Sequence, residues 1–273
     1  MSFQNRIFNI APTATAIILA TCLAVPAEAY RMIQNTSTGR VTAGAAVKCD
    51  DSGGFAHWTQ RDIPWRLNTG LQGNGKATQI SNALASWRNV SGAAHNPTYA
   101  GTTSLGWATD GQNTVLWATG NGCSGSCLAL TALVLQNGQE IIESDVTFNN
   151  LYTWRTNGSD YDTEAVAAHE FGHSLGIHHT NTALRFNRPT MKATYFGDNG
   201  RSLENDDENA LQCADDKYPL PSPPPPPPPS CSANGFSCVS DADCCSYNCE
   251  CTFGCGSGFE VKACQDPFGP ILQ

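Results

Sequence analysis

Residues His169–His179 read His-Glu-Phe-Gly-His-Ser-Leu-Gly-Ile-His-His. Side chains four positions apart on a helix project from the same face, so His169 and His173 can bind one metal ion. Gly176 can adopt the left-handed conformation that ends a helix, and the resulting turn would bring in His179 as a third ligand. Three neutral imidazoles that leave one position for water are typical of catalytic zinc, so we predict one zinc ion here.

Glu170 and the other three histidines of the chain have separate predicted roles. Glu170 directly follows the first predicted ligand and is placed to take a proton from a water molecule that the metal activates. Only one of the adjacent His178 and His179 fits the ligand spacing, so we interpret His178 as a residue beside the site or at the surface. His57 and His95 stand alone, and we interpret them as structural or exposed residues.

The residues around the histidine stretch predict a mixture of strands and helices. Apolar residues at helical spacing predict helices over 76–91, 163–177 and 203–213. Runs rich in β-branched and aromatic residues, separated by Gly and Asn, predict strands over 62–68, 114–117, 128–135 and 141–148. Strands and helices that do not alternate regularly indicate the α+β class.

The motif His-Glu-x-x-His-x-x-Gly-x-x-His resembles that of the metzincin zinc proteases, and its surroundings resemble the matrixin branch. The segments that carry the likeness are 143–149, 162–169, 189–191 and 201–207, within a resemblance that covers 57–219. It implies a twisted mixed β-sheet with three helices, a Met-turn that places Met191 beneath the zinc, and Tyr195 in the wall of the S1′ pocket. Lys192-Ala193 replaces the Tyr-Pro that commonly follows the methionine.

The resemblance also implies peptide hydrolysis, with the strand 128–135 lining the cleft. An extended peptide could add to its edge by backbone hydrogen bonds, although a buried strand without a ligand role fits the residues equally well. The structural zinc of vertebrate matrixins has no counterpart, because 99–150 contains no histidine. Calcium stays open: Asp145, Asp198 and Asp206 offer oxygen ligands, but solvation and helix capping are commoner roles for such acids.

Composition and the first residues indicate an exported protein. The net charge is −9, with 15 Lys plus Arg against 24 Asp plus Glu, which argues against a basic nucleic-acid-binding face. Residues 1–29 have a positive start, an apolar stretch and the cleavage site Ala27-Glu28-Ala29, as in a signal peptide. Cys22 leaves a lipoprotein signal as a less fitting alternative. No segment is long and apolar enough to span a membrane, so we predict a secreted protein.

The cysteines indicate an oxidising compartment and a bipartite mature chain. We expect Cys123 and Cys127 to pair locally, which leaves Cys49 for Cys213; a thiolate switch at Cys49 is the alternative. The predicted parts are a short N-terminal segment (30–56), a protease domain (57–218), a polyproline linker (219–230) and a cystine-rich module (231–273).

The module's eight cysteines resemble those of cystine-knot miniproteins. Its predicted role is to bind a surface, a polysaccharide or a protein, and an inert cap is the alternative. For the whole chain we predict a monomeric secreted zinc endopeptidase that acts on proteins or peptides. The competing hypothesis is a secreted binding or adhesion protein with a non-catalytic protease fold.

Overall fold

The structure is a computed structural model that describes residues 30–120, 122–123, 125–180 and 188–220, with the short stretches 237–238, 249–253 and 261–264. These residues fall into two units, one within 1–220 and the other within 221–273. The predicted signal peptide and nearly all of the predicted linker and cystine-rich module lie outside the described residues. None of the described helices is long and apolar enough to cross a membrane.

The helices and strands are numbered in chain order. The helices are α1 (Ala77–Arg88), α2 (Thr163–Ser174) and α3 (Asn205–Lys217), with short 3₁₀ turns at Leu71–Gly73 and Gly197–Arg201. The strands of the first unit are β1 (Arg31–Gln34), β2 (Gly39–Val41), β3 (Ala45–Val47), β4 (His57–Trp58), β5 (Asp62–Asn68), β6 (Asn96–Thr103), β7 (Asn113–Ala118), β8 (Ala129–Gln136), β9 (Glu140–Asn149), β10 (Trp154–Arg155), β11 (Tyr161–Asp162) and β12 (Ile177–His178). Those of the second unit are β13 (Ser237–Cys238), β14 (Cys249–Phe253) and β15 (Val261–Cys264), in the order β13-β15-β14.

The main sheet has seven strands in the order β2-β8-β9-β7-β5-β6, with β4 paired to β9. Strands β9, β7, β5 and β6 run parallel, whereas β8 is antiparallel to both β9 and β2. A second, small sheet has the order β12-β1-β3. The predicted α+β fold, with a twisted mixed sheet and three helices, is confirmed.

The boundaries of the elements differ from the sequence predictions where capping decides them. Helix α2 ends at Ser174 rather than at 177, because the chain turns at Gly176 and continues as β12. Helix α3 begins at Asn205 because Glu204 and Asp207 form a capping box there. Strand β6 was not predicted from the sequence; its parallel pairing with β5 makes it a strand.

Three tryptophans in the core hold helix α2 in place. The indole N–H of Trp58 donates to the carbonyl oxygen of Ser174 at 2.8 Å, and that of Trp87 donates to Ala168 at 2.8 Å. The Trp65 ring packs edge-on against Phe171 at 4.9 Å between centroids. Buried Trp gains both apolar contact and a hydrogen-bond partner, so these contacts fix the position of the helix that carries His169 and His173.

Both expected disulfides of the first unit are present, Cys49–Cys213 and Cys123–Cys127. The thiolate switch at Cys49 is therefore wrong for this structure, because its sulfur is bonded to Cys213. The lone histidines have structural roles: the His57 ring stacks on Tyr218, and buried His95 contacts Asp215 at 2.5 Å.

Candidate metal centre

Three histidines converge at the C-terminal end of α2. The Nε2 atom of His179 lies 3.2 Å from Nε2 of His169 and 3.1 Å from Nε2 of His173. His169 and His173 are one helical turn apart on α2, and His179 follows β12. Among the described residues, this is the only group of three or more His, Cys, Asp or Glu side chains that could hold a metal ion.

Gly176 makes the turn that returns the chain to the site. Its φ is +85°, in the left-handed region that favours glycine. A side chain here would also collide with the carbonyl oxygen of Ala56, which is backbone and cannot move aside. The position therefore requires glycine for two separate reasons, and the turn brings His179 back to the end of α2.

The other ring nitrogens of the two helical histidines are hydrogen-bonded to backbone carbonyl groups. Nδ1 of His169 lies 2.6 Å from the oxygen of Thr190, and Nδ1 of His173 lies 2.7 Å from the oxygen of Ile177. A carbonyl only accepts, so Nδ1 carries the proton and Nε2 keeps its lone pair in each neutral ring.

The spacing of the three Nε2 atoms fits a metal ion. Lone pairs that face one another at 3.1–3.2 Å repel unless a cation lies among them. Zinc–nitrogen bonds of about 2.0–2.1 Å at tetrahedral angles put ligand nitrogens about 3.3–3.4 Å apart, close to the spacing found here. The donor set therefore fits zinc.

Burial keeps the imidazoles of His173 and His179 neutral at ordinary pH. Burial and, to a smaller extent, the charges of His169 and His178 together lower the pKa of His179 to about 4. Burial also lowers the pKa of His173 well below its ordinary value, with smaller contributions from His169 and His179. A neutral ring is the form that binds a metal, so both side chains are ready to do so near pH 7.

Glu170 is buried next to the three histidines. Burial raises the pKa of its carboxyl group, while the charge of His169 and a hydrogen bond from Thr131 lower it in part. The Thr131 hydroxyl lies 2.6 Å from Oε2 of Glu170 and 3.0 Å from its backbone oxygen. Thr131 was not predicted as part of the site, although it is the one hydroxyl in the otherwise apolar run Ala129–Leu135.

Met191 packs against α2, and the place beneath the zinc that the resemblance implies for it stays a prediction. It is buried, and a side-chain carbon at Gly172 would collide with its sulfur. The turn is held by Asp207, whose carboxylate accepts the backbone N–H groups of Thr190 at 2.8 Å and Met191 at 3.0 Å. Asp207 was also not predicted, because nothing in the sequence joins α3 to a turn 16 residues earlier.

The histidines face a cleft of about 760 Å³ that is lined on one side by β8. Tyr195 stands in its wall, and its hydroxyl accepts from the backbone N–H of Asp162 at 2.7 Å and donates to the oxygen of Asp160 at 2.8 Å. These two bonds fix the ring. His178 also lines the cleft and is half-buried, with its ring 5.4 Å from that of His179.

The sequence profile of the matrixin family matches residues 57–214, which is more than half of the chain. The chain belongs to the matrixin family. Matrixins are zinc-dependent proteases, so the donor set found here has the chemistry that the family uses.

This matrixin is also similar to several characterised proteins over part of its length. It is 38% identical to the interstitial collagenase of Equus caballus over 71 residues, which are 26% of this chain and 14% of the collagenase. It is 33% identical to human matrix metalloproteinase-25 over 85 residues, 30% of this chain and 15% of the relative. It is 42% identical to karilysin of Tannerella forsythia over 60 residues, 22% of this chain and 12% of karilysin. The matches thus span about a seventh of those relatives.

The acids considered for calcium do not gather in this matrixin. Asp145 is bound by Arg40 at 2.9 Å and by the backbone N–H of Thr114 at 3.0 Å. Asp206 accepts the backbone N–H of Tyr30 at 3.0 Å, and Asp198 lies in the 3₁₀ turn at Gly197–Arg201. Calcium binding stays an expectation.

Proposed function

We propose that the chain is a zinc-dependent endopeptidase. The observation that carries the proposal is the convergence of three imidazoles, with Nε2 of His179 3.2 Å and 3.1 Å from the other two Nε2 atoms, beside the buried Glu170 in an open cleft. The family supports the general activity, and the arrangement of these four side chains supports the roles that follow.

His169, His173 and His179 would hold the ion, and a zinc ion held there lowers the pKa of a water molecule toward 7 and polarises a carbonyl oxygen. Glu170 accepts the proton of the attacking water and later donates it to the leaving amine. Its raised pKa makes it a stronger base than an exposed glutamate, which suits it to both transfers.

Two further residues position these groups. The hydroxyl of Thr131 holds one carboxylate oxygen of Glu170, so the other oxygen is left for the water. Asp207 fixes the backbone at Thr190, whose carbonyl oxygen in turn orients the ring of His169. Such hydrogen bonds behind metal ligands set both ring orientation and ligand basicity.

The proposed substrate is a protein or peptide in extended form. Strand β8 lines the cleft and offers backbone groups at its edge, to which a peptide can add as a further strand. Tyr195, held by its two hydrogen bonds, would form part of the wall of the pocket for the residue after the cut bond.

The remaining parts of the chain have proposed roles that follow from the sequence. Residues 1–29 would direct secretion, and 30–56 and 57–218 would form the mature enzyme. The prolines of 219–230 would separate it from the cystine-rich 231–273, which would bind a surface, polysaccharide or protein.

The test is digestion of a peptide library by the full chain, with and without a zinc chelator. We expect cleavage that stops with the chelator and returns when zinc is added. Metal analysis should find about one zinc per chain, and each of His169→Ala, His173→Ala and His179→Ala should lose it. Cleavage that persists after complete zinc removal would refute the proposal, and full zinc content in His179→Ala would refute the third ligand.

A further inference from the structure

The chain's own strand β2 lies on the edge of β8 that faces the cleft. Gly39, Arg40 and Val41 pair antiparallel with Leu135, Val134 and Leu133 of β8. Val41 and the next three residues, Thr42 to Gly44, line the same cavity as the three histidines and Glu170. The matrixin profile begins at residue 57, so this strand belongs to a segment that the family match does not cover.

The loop that carries β2 is fastened at its base. The Asn35 side chain donates to the carbonyl oxygen of Ala43 at 2.7 Å, and its oxygen accepts the backbone N–H of Ser37 at 2.8 Å. The preceding strand β1 is part of the core, since Met32 is fully buried and Ile33 donates its backbone N–H to Gly176 at 2.8 Å. The loop therefore cannot leave the cleft without breaking several contacts.

Arg40 fastens the strand itself. Its guanidinium lies 2.8 Å from Glu143 and 2.9 Å from Asp145, two carboxylates that are almost fully buried. It also lies over the Trp107 ring, 4.9 Å from the centroid. Two partly buried ion pairs and a cation–π contact at Arg40 stabilise the pairing of β2 with β8. Such contacts are stronger than those that usually hold a surface loop.

The other half of the β8 edge is open. The pairing with β2 ends at Leu133, and the edge from Ala129 to Ala132 has no strand partner apart from β9 among the described residues. Thr131, which contacts Glu170, lies in this open half. Along a strand, the two residues from Thr131 to Leu133 correspond to about 7 Å. A peptide beside β8 therefore has room for about two residues between the level of Glu170 and the end of β2.

We propose that β2 makes this enzyme selective for bonds near the amino terminus of a peptide. A substrate that pairs antiparallel with β8, as β2 does, runs in the direction from Leu135 toward Ala129. Its amino-terminal side meets Val41 after about two residues, whereas its carboxyl-terminal side extends along the open half. This inference rests on the proposed peptidase activity and specifies its preferred substrates: bonds with no more than about two residues before them are cut fastest, and bonds further along a chain are cut more slowly, because β2 must first leave the edge of β8.

The test uses one cleavable peptide core from the library, extended by zero to six residues on either side, with the zinc-loaded full chain. We expect kcat/KM to hold or rise with extension on the carboxyl-terminal side. We expect it to fall at least about tenfold once more than two residues precede the cut bond, because β2 must then leave the edge. Equal rates with two and with six preceding residues would overturn the inference, and so would a penalty on the carboxyl-terminal side instead.

Gly39→Ala provides a variant that loosens β2 without touching the metal site. Gly39 has φ +100° with no atom within 4 Å of an added Cβ, so alanine introduces backbone strain and no collision. Gly92→Ala is the matched control, with φ +80° and equally open surroundings, outside the loop that carries β2. Gly39→Ala should raise kcat/KM for the long amino-terminal peptides about fivefold and leave the short ones unchanged, whereas Gly92→Ala should alter neither. A gain of the same size for peptides of every length would mean that β2 obstructs the cleft for all substrates, and it would overturn the proposed selectivity.

Hydrogen exchange separates this inference from the proposed activity. The backbone amides of 39–41 that donate to β8 should be protected in the parent chain and in Gly92→Ala, and should exchange faster in Gly39→Ala. Rapid exchange of every amide of 39–41 in the parent chain would overturn the inference even if the enzyme cleaves peptides. Protection without any chelator-sensitive cleavage would instead refute the proposed peptidase.

Discussion

At Glu170, burial and one hydroxyl group act on the same carboxyl group in opposite directions. Burial raises its pKa, and the hydrogen bond from Thr131 lowers it in part. The carboxyl group is thus kept ionised enough to accept a proton and basic enough to hold it during the reaction. Two substitutions separate the contribution of the carboxylate from that of the hydroxyl group.

Glu170→Gln should keep zinc and the fold while losing most of the activity. The amide is nearly isosteric and is not one of the three proposed ligands, but it cannot accept a proton near neutral pH. General-base catalysis is typically worth about 10²–10⁴ in rate, so kcat should fall by that order. Zinc analysis and thermal unfolding provide the controls. Turnover within about threefold of the parent at equal zinc content would remove Glu170 from the mechanism.

Thr131→Val should shift the acid limb of the kcat/KM profile to higher pH. The hydrogen bond from Thr131 lowers the pKa of Glu170, so the pKa rises when this bond is lost. Glu170 is then protonated at a higher pH, and the enzyme loses activity at a higher pH on the acid side. We also expect kcat to fall about tenfold, since a hydrogen bond to a charged group is lost. Thr131→Ser keeps the hydroxyl and should retain the parent profile. A profile for Thr131→Val that matches the parent's would reduce Thr131 to a packing role.

Helix α2 carries two of the proposed ligands, and specific residues hold both of its ends. Asp162 caps its start by accepting the backbone N–H of Ala165 at 2.9 Å. Gly176 follows its end and sends the chain back toward the site. The start of the helix therefore depends on Asp162, and the return of the chain to the third proposed ligand depends on Gly176.

Gly176→Ala should destabilise the protein and weaken zinc binding together. Its added carbon meets both an unfavourable φ and the Ala56 oxygen, so the turn must shift and carry His179 with it. Gly197→Ala is the matched control, because it introduces the same backbone strain without a collision: φ is +82° and no atom lies within 4 Å of the added carbon. We expect a loss of about 1 kcal/mol for Gly197→Ala and clearly more for Gly176→Ala. Chemical unfolding and zinc titration measure both effects, and equal losses in the two variants would contradict the close approach.

The stability that Asp162 contributes should depend on pH. Burial alone would raise its pKa, but hydrogen bonds from Arg201, Ala165 and Gly158 outweigh it, so the net pKa lies below its ordinary value. An acid with a lowered pKa stabilises the fold above its unfolded pKa, near 4, and this stability disappears as pH falls through the folded pKa. Asp162→Asn should therefore cost about 1.5–3 kcal/mol at pH 7 and progressively less below pH 4.

Asp160→Asn is the matched control for this measurement. Asp160 pairs with Arg155 at 3.1 Å, but both side chains are more than half exposed. Exposed ion pairs contribute little, so we expect a change below about 0.5 kcal/mol at either pH. Chemical unfolding at pH 7 and pH 3 decides the comparison. A constant cost of Asp162→Asn at both values would show that its charge is not the stabilising feature.

At the scale of the whole molecule, the disulfide Cys49–Cys213 joins the N-terminal segment to α3. Its two cysteines are 164 positions apart, against 4 for Cys123–Cys127. Loop-closure entropy then predicts a loss of about 5 kcal/mol for Cys49→Ala/Cys213→Ala and about 2 kcal/mol for Cys123→Ala/Cys127→Ala. Chemical unfolding of both double variants measures this difference. A smaller loss for the long-range pair would show that the unfolded chain is restrained by other contacts.

The proposed metal-binding stretch could be predicted from the sequence, because helical periodicity places residues 169 and 173 on one face. The sequence also sufficed for the α+β class and for the strand at 62–68, which lies where it was predicted. Local chemistry specified these features, since ligand spacing, turn glycines and apolar runs act over a few residues. The two disulfides followed from the small number of cysteines in this part of the chain.

The residues that support the site from distant parts of the chain became visible in the folded structure alone. Thr131 reaches Glu170 from β8, and Asp207 reaches Thr190 from α3, over separations of 39 and 17 residues. The N-terminal segment carried no recognisable pattern, because β2 exists only through pairing with β8, β1 pairs with β12, and β3 pairs with β1. Strands of three or four residues have too little periodicity to be seen in a sequence, and pairing with partners about 95 and 145 positions away makes β2 and β1 strands.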